Sequence, residues 1–254
     1  MKNQTESRKK DHVELVLSKG AQAAKSAGFE RLDFIHNALP EISLEKVDLS
    51  TEFVGRRIRY PIIITAITGG YKDAESINRA LAQAAQRHGI AFGIGSQRAM
   101  IENPSLARTY NVRSVAPDIP LLANIGAYQL KKYSPKQVES LVSSIEADAL
   151  AIHLNSLQEV IQPEGDTDYS GVLDAITKTC ERLSVPVVVK ETGAGISQDV
   201  ALKLKGAGVK WVDVAGAGGT SWSSVEYLRA GAVQASRAGA YPPSNRYSSA
   251  AACF

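Results

Sequence analysis

Six short apolar runs, each succeeded by a loop and then a helical pattern, constrain this chain more than any other feature. They are PIIIT (61–65), IAFGI (90–94), PLLAN (120–124), ALAIHL (149–154), PVVVK (186–190) and VKWVDVA (209–215). Units of roughly 30 residues with this alternation predict parallel strands joined by right-handed crossovers. The runs lack polar alternation, as expected of strands covered on both faces. Between them, 73–88 is an Ala-rich helical stretch ending before Gly89. Ser134-Pro135-Lys136-Gln137 opens another helix with an N-cap serine, a proline at the first position and a capping-box glutamine. Ser170 and Ser197 are expected to cap two more, and 223–230 fits a last helix.

The loop after each run is as regular as the run itself. These loops are Ala66-Ile67-Thr68-Gly69-Gly70, Gly95-Ser96-Gln97-Arg98, Asn124-Ile125-Gly126-Ala127, the cluster His153 to Glu159, Lys190-Glu191-Thr192-Gly193 and Gly216 to Trp222. A doubly wound sheet concentrates such residues at one switch point. In a TIM barrel every βα loop reaches the same face, so an even spread of polar loop residues favours the barrel. The expected fold is therefore α/β, a TIM (β/α)8-type barrel, incomplete in that six of eight units are recognisable. Its expected division is an N-terminal helix and cap segment over 1–60, barrel units over 61–230 and an atypical, disordered tail over 231–254.

The cap segment begins with a basic helical pattern over 8–27, which Gly28 is placed to end, and continues irregularly from Phe29 to Ser50. Residues 52–58 (EFVGRRI) suggest a hairpin about Gly55. The tail after residue 230 contains no acid and no strand-like run. It is not expected to complete the barrel, and a chain lacking the last two units is expected to expose its edge strands.

A length of 254 residues suits one barrel-sized domain. No apolar run approaches a membrane span, and MKNQTESRKK lacks the apolar core of a signal peptide, so a cytoplasmic protein without a membrane partner is expected. Cys180 and Cys253 have no metal-ligand spacing. A net charge of +3 without a basic stripe interleaved with aromatics argues against a nucleic-acid partner.

The cluster His153, Asn155, Gln158 and Glu159 brings an imidazole, two amides and a carboxylate to one strand end. Such crowding is costly to bury unless something binds there. Each feature alone has an ordinary explanation: a polar loop, a solvated Lys190, a simple turn at Thr68-Gly69-Gly70. Together, RKKDH (8–12), HNALPE (36–41), ITGG (67–70), GSQR (95–98), NIGA (124–127), HLNSLQE (153–159), VKETGAGIS (189–197) and DVAGAGGTSW (213–222) resemble the type 2, FMN-dependent isopentenyl-diphosphate isomerases, in order and from about residue 6 to 230.

The resemblance implies a TIM barrel that converts isopentenyl diphosphate to dimethylallyl diphosphate with reduced FMN, Mg2+ and NAD(P)H as reductant, in a homo-oligomer of four or eight. It implies that Arg8, Lys9, His12, Ser96, Gln97 and Arg98 bind the diphosphate end, and that His153, Asn155 and Gln158 line the substrate pocket. It implies Ala66, Ile67, Thr68, Ser96, Asn124, Lys190 and Thr220 as flavin contacts, and Glu159 as the Mg2+ ligand. No pair of carboxylates is arranged to move both protons of a double-bond shift, and the resemblance assigns that step to flavin N5 instead of a side chain. Two other readings stay open: another FMN barrel, such as a 2-hydroxy-acid oxidase, or a catalytically impaired remnant of the family.

Overall fold

Helix α1 (Gln4–Lys19) and an antiparallel hairpin of β1 (Thr51–Phe53) and β2 (Arg56–Ile58) precede the main sheet in the computed structural model, which describes residues 4–19, 21–66 and 68–230. Six parallel strands then lie side by side in chain order. They are β3 (Ile63–Ile64), β4 (Ala91–Gly93), β5 (Leu121–Gly126), β6 (Ala149–Leu154), β7 (Val187–Glu191) and β8 (Trp211–Asp213). Strictly sequential order without reversal is the wall of a barrel and not a doubly wound sheet. The crossovers carry helices α2 (Ala74–His88), α3 (Arg98–Glu102), α4 (Pro135–Ser143), α5 (Ser156–Ile161), α6 (Val172–Arg182) and α7 (Gln198–Gly206), with α8 (Trp222–Ala230) after β8. Strands β3, β4 and β8 are shorter than their apolar runs, whereas β5 and β7 extend past theirs and β6 keeps the expected bounds.

Side-chain parity divides the wall into two faces. Leu121, Ala123, Ile125, Leu150, Ile152, Val187 and Val189 pack outward in one large core with Ala82, Ala85, Leu141, Ile176 and Leu204 of the helices. The alternate residues Leu122, Ala149, Ala151 and Val188 pack inward in a second, small cluster. Alanines at two of these inner positions leave room in the lower barrel, and the β1–β2 hairpin fills it, with Val54 at its turn buried among the inner residues. Val54 adopts φ 46°, a left-handed conformation unfavourable for a β-branched residue, and burial of its side chain holds it there.

The lower rim is tied by one carboxylate. Asp148 Oδ2 accepts from Arg113 Nη2 at 2.9 Å and from the Leu121 amide at 2.9 Å, while Oδ1 accepts from Arg56 Nε at 2.6 Å. Arg113 also donates to the carbonyls of Ala116, Ile119 and Glu146. The hairpin, the loop before β5 and the start of β6 are thus held together by contacts between segments far apart in sequence.

Three expectations are corrected in detail. The basic helix α1 spans Gln4–Lys19 and not 8–27, so Gly28 does not end it. From Ala21 the backbone is captured instead by the last loop: Ala23 N donates to Gly219 O at 2.7 Å and Ser221 N to Ala21 O at 2.8 Å. Ser170 does not cap α6, whose N-cap is Gly171 at φ 70°, because the Ser170 hydroxyl and amide both donate to Asp168. Residues 153–159 are not all loop, since α5 starts directly after Asn155. The capping box at Ser134 and the cap at Ser197 form as expected. Residues 28–50 run over the surface with Phe34 and Ile35 almost wholly exposed. The tail over 231–254 lies outside the described residues.

Asp148→Ala strands the buried Arg113 guanidinium and frees Arg56, and is expected to cost about 3 kcal/mol of folding stability. Urea unfolding checks it; a loss under about 1 kcal/mol, the range of exposed pairs, would mean the carbonyls alone hold Arg113.

Candidate active site

Register decides which side chains gather at the carboxyl end of the wall. Gly126 pairs with His153, His153 with Lys190, and Lys190 with Asp213, so these residues stand at one height on neighbouring strands. Above them lies a cavity of about 330 Å³, bordered by Ala66, Thr68, Ser96, Arg98, Asn124, His153, Asn155, Gln158, Glu159, Lys190 and Thr220 from the loops. Arg8, Lys9 and His12 reach it from α1, with Val13, Val16 and Leu17 beside them. All but two of the residues singled out from sequence therefore border one cavity.

Those two are Gln97 and Ile67. Gln97 is fully buried behind the loop: its Nε2 donates to Leu141 O at 2.9 Å, and its Oε1 accepts from Asn124 N at 3.0 Å. It ties the second loop to the third strand of the wall and does not reach the cavity. Ile67 lies outside the described residues.

The loops approach so closely that glycine is required. A Cβ on Gly69 would fall 2.1 Å from the Tyr110 ring, and one on Gly95 would fall 2.4 Å from the Thr68 carbonyl oxygen. Asn78 of α2 donates to both Thr68 O (3.2 Å) and Thr109 O (2.8 Å), which fixes the first loop from behind. Thr68 Oγ1 and Asn155 Oδ1 are buried with no partner among the described residues. At a polar cavity, such orphaned acceptors and donors point to a bound group.

The electrostatics are those of a dry, cationic site. Burial, then the Arg8 guanidinium, push the Lys9 ammonium down to about 7, and Lys9 Nζ donates to Ser96 O at 3.0 Å. Burial likewise lowers Lys190, against the opposing pull of Asp213 and Glu191. His153 is pushed down to about 3 by burial first, then by Lys190, Lys9 and Arg8. Its Nδ1 lies 2.8 Å from Asn124 Oδ1, an acceptor, so the ring is the neutral Nδ1–H tautomer with an unprotonated Nε2. Arg98 is held by Glu102, 2.7 Å away one helical turn on.

Glu159 stands in the first turn of α5, nearly buried, with Oε1 accepting from Asn155 Nδ2 (3.0 Å) and Oε2 from the Asp166 amide (2.8 Å). Each oxygen keeps a lone pair, so a cation can still be ligated. Among the described residues no group of three or more His, Cys, Asp or Glu is arranged to hold a metal. The donor set fits a hard cation that takes its remaining ligands from a bound anion and water.

Sequence reasoning missed Glu226, a wholly buried carboxylate on α8. It accepts from His12 Nε2 (2.8 Å), Gln158 Nε2 (3.1 Å) and Arg229 Nε (2.8 Å). Burial would raise its carboxyl, but His12 and Arg229 more than offset this and hold it at about 2. Glu164, bonded to Arg229, was missed as well. The only local signal was a Glu–Arg pair three residues apart beside Val225, on the inner face of an expected helix. His12 is further fixed by an edge-on contact with Trp222, 5.2 Å between ring centroids.

The FMN-dependent dehydrogenase family model matches residues 13–110. The isopentenyl-diphosphate delta-isomerase of Pyrococcus horikoshii is 51% identical over 231 residues, 88% of this chain and 62% of that protein. The Methanosarcina mazei protein of that name is 50% identical over 232 residues, 91% of this chain and 64% of its own. That of Rickettsia felis is 51% identical over 224 residues, 88% of this chain and 65% of its own. The chain thus spans under two thirds of the length of these relatives. In fold it is similar to (S)-mandelate dehydrogenase, a monotopic membrane protein (TM-score 0.54, 14% identity, 82% of this chain and 70% of that one). Mandelate oxidase with (S)-4-hydroxymandelic acid gives a TM-score of 0.50 at 14% identity, over 81% and 68% of the two chains.

A proton spectrum monitored with pH is expected to show His153 unprotonated down to about pH 4, since its ordinary value of 6.5 is lowered to about 3. Between those two values the unfolded chain binds the extra proton, so His153 makes stability fall as pH drops through that window. A His153 resonance titrating near 6.5 would show that the ring is solvated.

Proposed function

We infer the activity from the family to which the chain belongs, that of the isopentenyl-diphosphate delta-isomerases. We propose that it binds isopentenyl diphosphate and isomerises it to dimethylallyl diphosphate, with reduced FMN, Mg2+ and NAD(P)H as reductant. The observation that carries this reading is the meeting of three cations (Arg8, Lys9, Arg98) with Glu159 on one cavity that also has an apolar wall. A diphosphate with a short hydrocarbon end has that division of charge and grease.

The residues present fit both implied groups. Thr68 Oγ1, orphaned and buried, and the Lys190 ammonium beside glycine-tight loops suit a flat heteroaromatic ring. Asn124, Ser96, Ala66 and Thr220 would hold the rest of the flavin. Reduced FMN, when bound, supplies the proton donor that the side chains lack. Glu159 would ligate Mg2+ together with diphosphate oxygens.

The chain's own residues then have separate tasks. Arg8, Lys9 and Arg98, with His12 and Ser96, bind the diphosphate by charge-assisted bonds. His153, kept neutral, presents an acceptor and not a charge to the pocket. Gln158 is oriented by Glu226 at 3.1 Å and by Asn155 Nδ2, which donates to its Oε1 at 3.3 Å. Val13, Val16 and Trp222 exclude water around the hydrocarbon, where protonating an alkene demands a dry site. A cytoplasmic, homo-oligomeric enzyme is consistent with this; no helix among the described residues is long and apolar enough to cross a membrane.

Proton spectra of isopentenyl diphosphate incubated with the chain, FMN, a reductant and Mg2+ test the reading. Conversion that requires reduced flavin is expected; conversion that proceeds equally without it would overturn the proposal. Glu159→Gln should leave the fold intact and weaken Mg2+-dependent binding of pyrophosphate by ~10- to 100-fold, the scale of losses around metal ligands. Equal affinity in the variant, or no effect of a chelator on the native chain, would remove Glu159 from the role. Lys9 adds a pH signature. Its value of about 7 leaves it mostly neutral at pH 8, so an arriving diphosphate should draw a proton in. Calorimetry in buffers of different ionisation enthalpy should show that uptake, and Lys9→Met should abolish it.

A further inference from the structure

Behind the cavity, two arginines and two glutamates alternate across three separate elements. Arg229 of α8 donates from Nη2 to both oxygens of Glu164, at 2.7 Å each, and from Nε to Glu226 Oε2 at 2.8 Å. Glu164 stands near a second guanidinium, that of Arg8, but only at 3.5 Å, too long for a good hydrogen bond. All four side chains are largely out of solvent, with 11% of Arg8, 20% of Glu164, 16% of Arg229 and none of Glu226 exposed. Arg8 borders the cavity; Glu164, Glu226 and Arg229 stand behind it.

The distances decide which arginine owns the carboxylate. Glu164 is committed to Arg229 and only adjacent to Arg8. Were Arg229 absent, the same carboxylate would have one cation left within reach, and it would close on Arg8. We propose that Arg229 is a positioning residue for the anion site: it sequesters Glu164 and so keeps the Arg8 guanidinium available to the diphosphate. Gln162 assists, since with its amide turned to satisfy both neighbours it accepts from Arg8 Nη1 at 2.9 Å and donates to Glu226 at 3.1 Å. Arg8 thereby makes its short hydrogen bond to a neutral amide, while the carboxylate beside it is engaged by Arg229. This inference rests on the diphosphate reading and adds to it a residue that never touches the ligand.

Calorimetric binding of inorganic pyrophosphate with Mg2+ to the full chain tests it, using a set of variants. Arg229→Gln should weaken binding by roughly 10-fold, equivalent to about 1.4 kcal/mol. Glu164→Gln alone should change it by less than about 3-fold, because Arg229 already holds that carboxylate away. The double variant should bind like Glu164→Gln alone, the rescue being the signature that a structural role for Arg229 would not produce. Arg229→Gln also strands Glu226, so the comparison is repeated in a Glu226→Gln background, where no unpaired buried carboxylate remains to unfold the chain. The same weakening and the same rescue are expected there. Native-like binding by Arg229→Gln, no recovery in the double variant, or a large loss from Glu164→Gln alone would each overturn the inference. Absence of pyrophosphate binding by the native chain is a different outcome, removing the diphosphate reading and this inference with it.

Discussion

Everything at the site depends on the parallel register of β5, β6 and β7. In a strand, successive side chains point to opposite faces, so a shift of one residue would send the inner set outward into the helical layer. Asn124, His153 and Lys190 share the inner face with Ala149, Ala151 and Val188 below them. The apolar members pack around Val54 in the lower barrel, while the polar members stand above that plug. The boundary between dry floor and polar cavity is therefore a property of three strands in step. The Asp148 carboxylate, tied to Arg113, Arg56 and the Leu121 amide, fixes the step at the lower rim.

Burial then gives the polar members their character. A histidine at a strand end with its Nδ1–H on Asn124 and three cations nearby cannot easily accept a proton, so it serves as an acceptor at any physiological pH. Lys9 is caught between desolvation, which removes its charge, and an incoming anion, which restores it. The carboxylates are treated in the opposite way. Glu226 is wholly buried, yet it stays ionised because it accepts from His12, Gln158 and Arg229 at once. With Glu226 compensated behind the cavity and Arg8, Lys9, Arg98 and Lys190 all bordering it, the pocket has a net preference for anions.

Much of this was legible in the sequence, for a physical reason. Strand-to-loop transitions are written in local composition, because apolar runs must be buried and glycines must stand where backbones meet, as at Gly95 against Thr68. Those signals located the loops, the hairpin at Gly55 and the caps at Ser134 and Ser197. The residues that escaped were decided by contacts between distant segments. Gln97 looks like its loop neighbours, yet its amide reaches backward to Leu141 and Asn124 and not into the cavity. Glu226 and Glu164 gain meaning only from distant partners, His12 of α1 for the first and Arg229 of α8 for the second. Helix α1 ends at Lys19 and not nearer Gly28 because the chain from Ala21 pairs with Gly219 and Ser221, a partner no local pattern announces.

That pairing also explains how α1 comes to lie at the cavity at all. Its apolar residues Val13, Val16 and Leu17 make a poor core face, and Leu17 is 82% exposed. Apolar burial alone therefore contributes little to holding it. The other attachments are polar: Arg8 beside Glu164, Lys9 on Ser96, His12 on Glu226 and against Trp222, and the antiparallel bridge between Gln22 and Thr220 just beyond its end. A helix anchored mainly by charged contacts around a cavity has its binding energy concentrated where a ligand would sit. An anion that engages Arg8 and Lys9 therefore strengthens the helix's attachment by the same contacts that bind it, so the docking of α1 and the affinity of the site are thermodynamically linked.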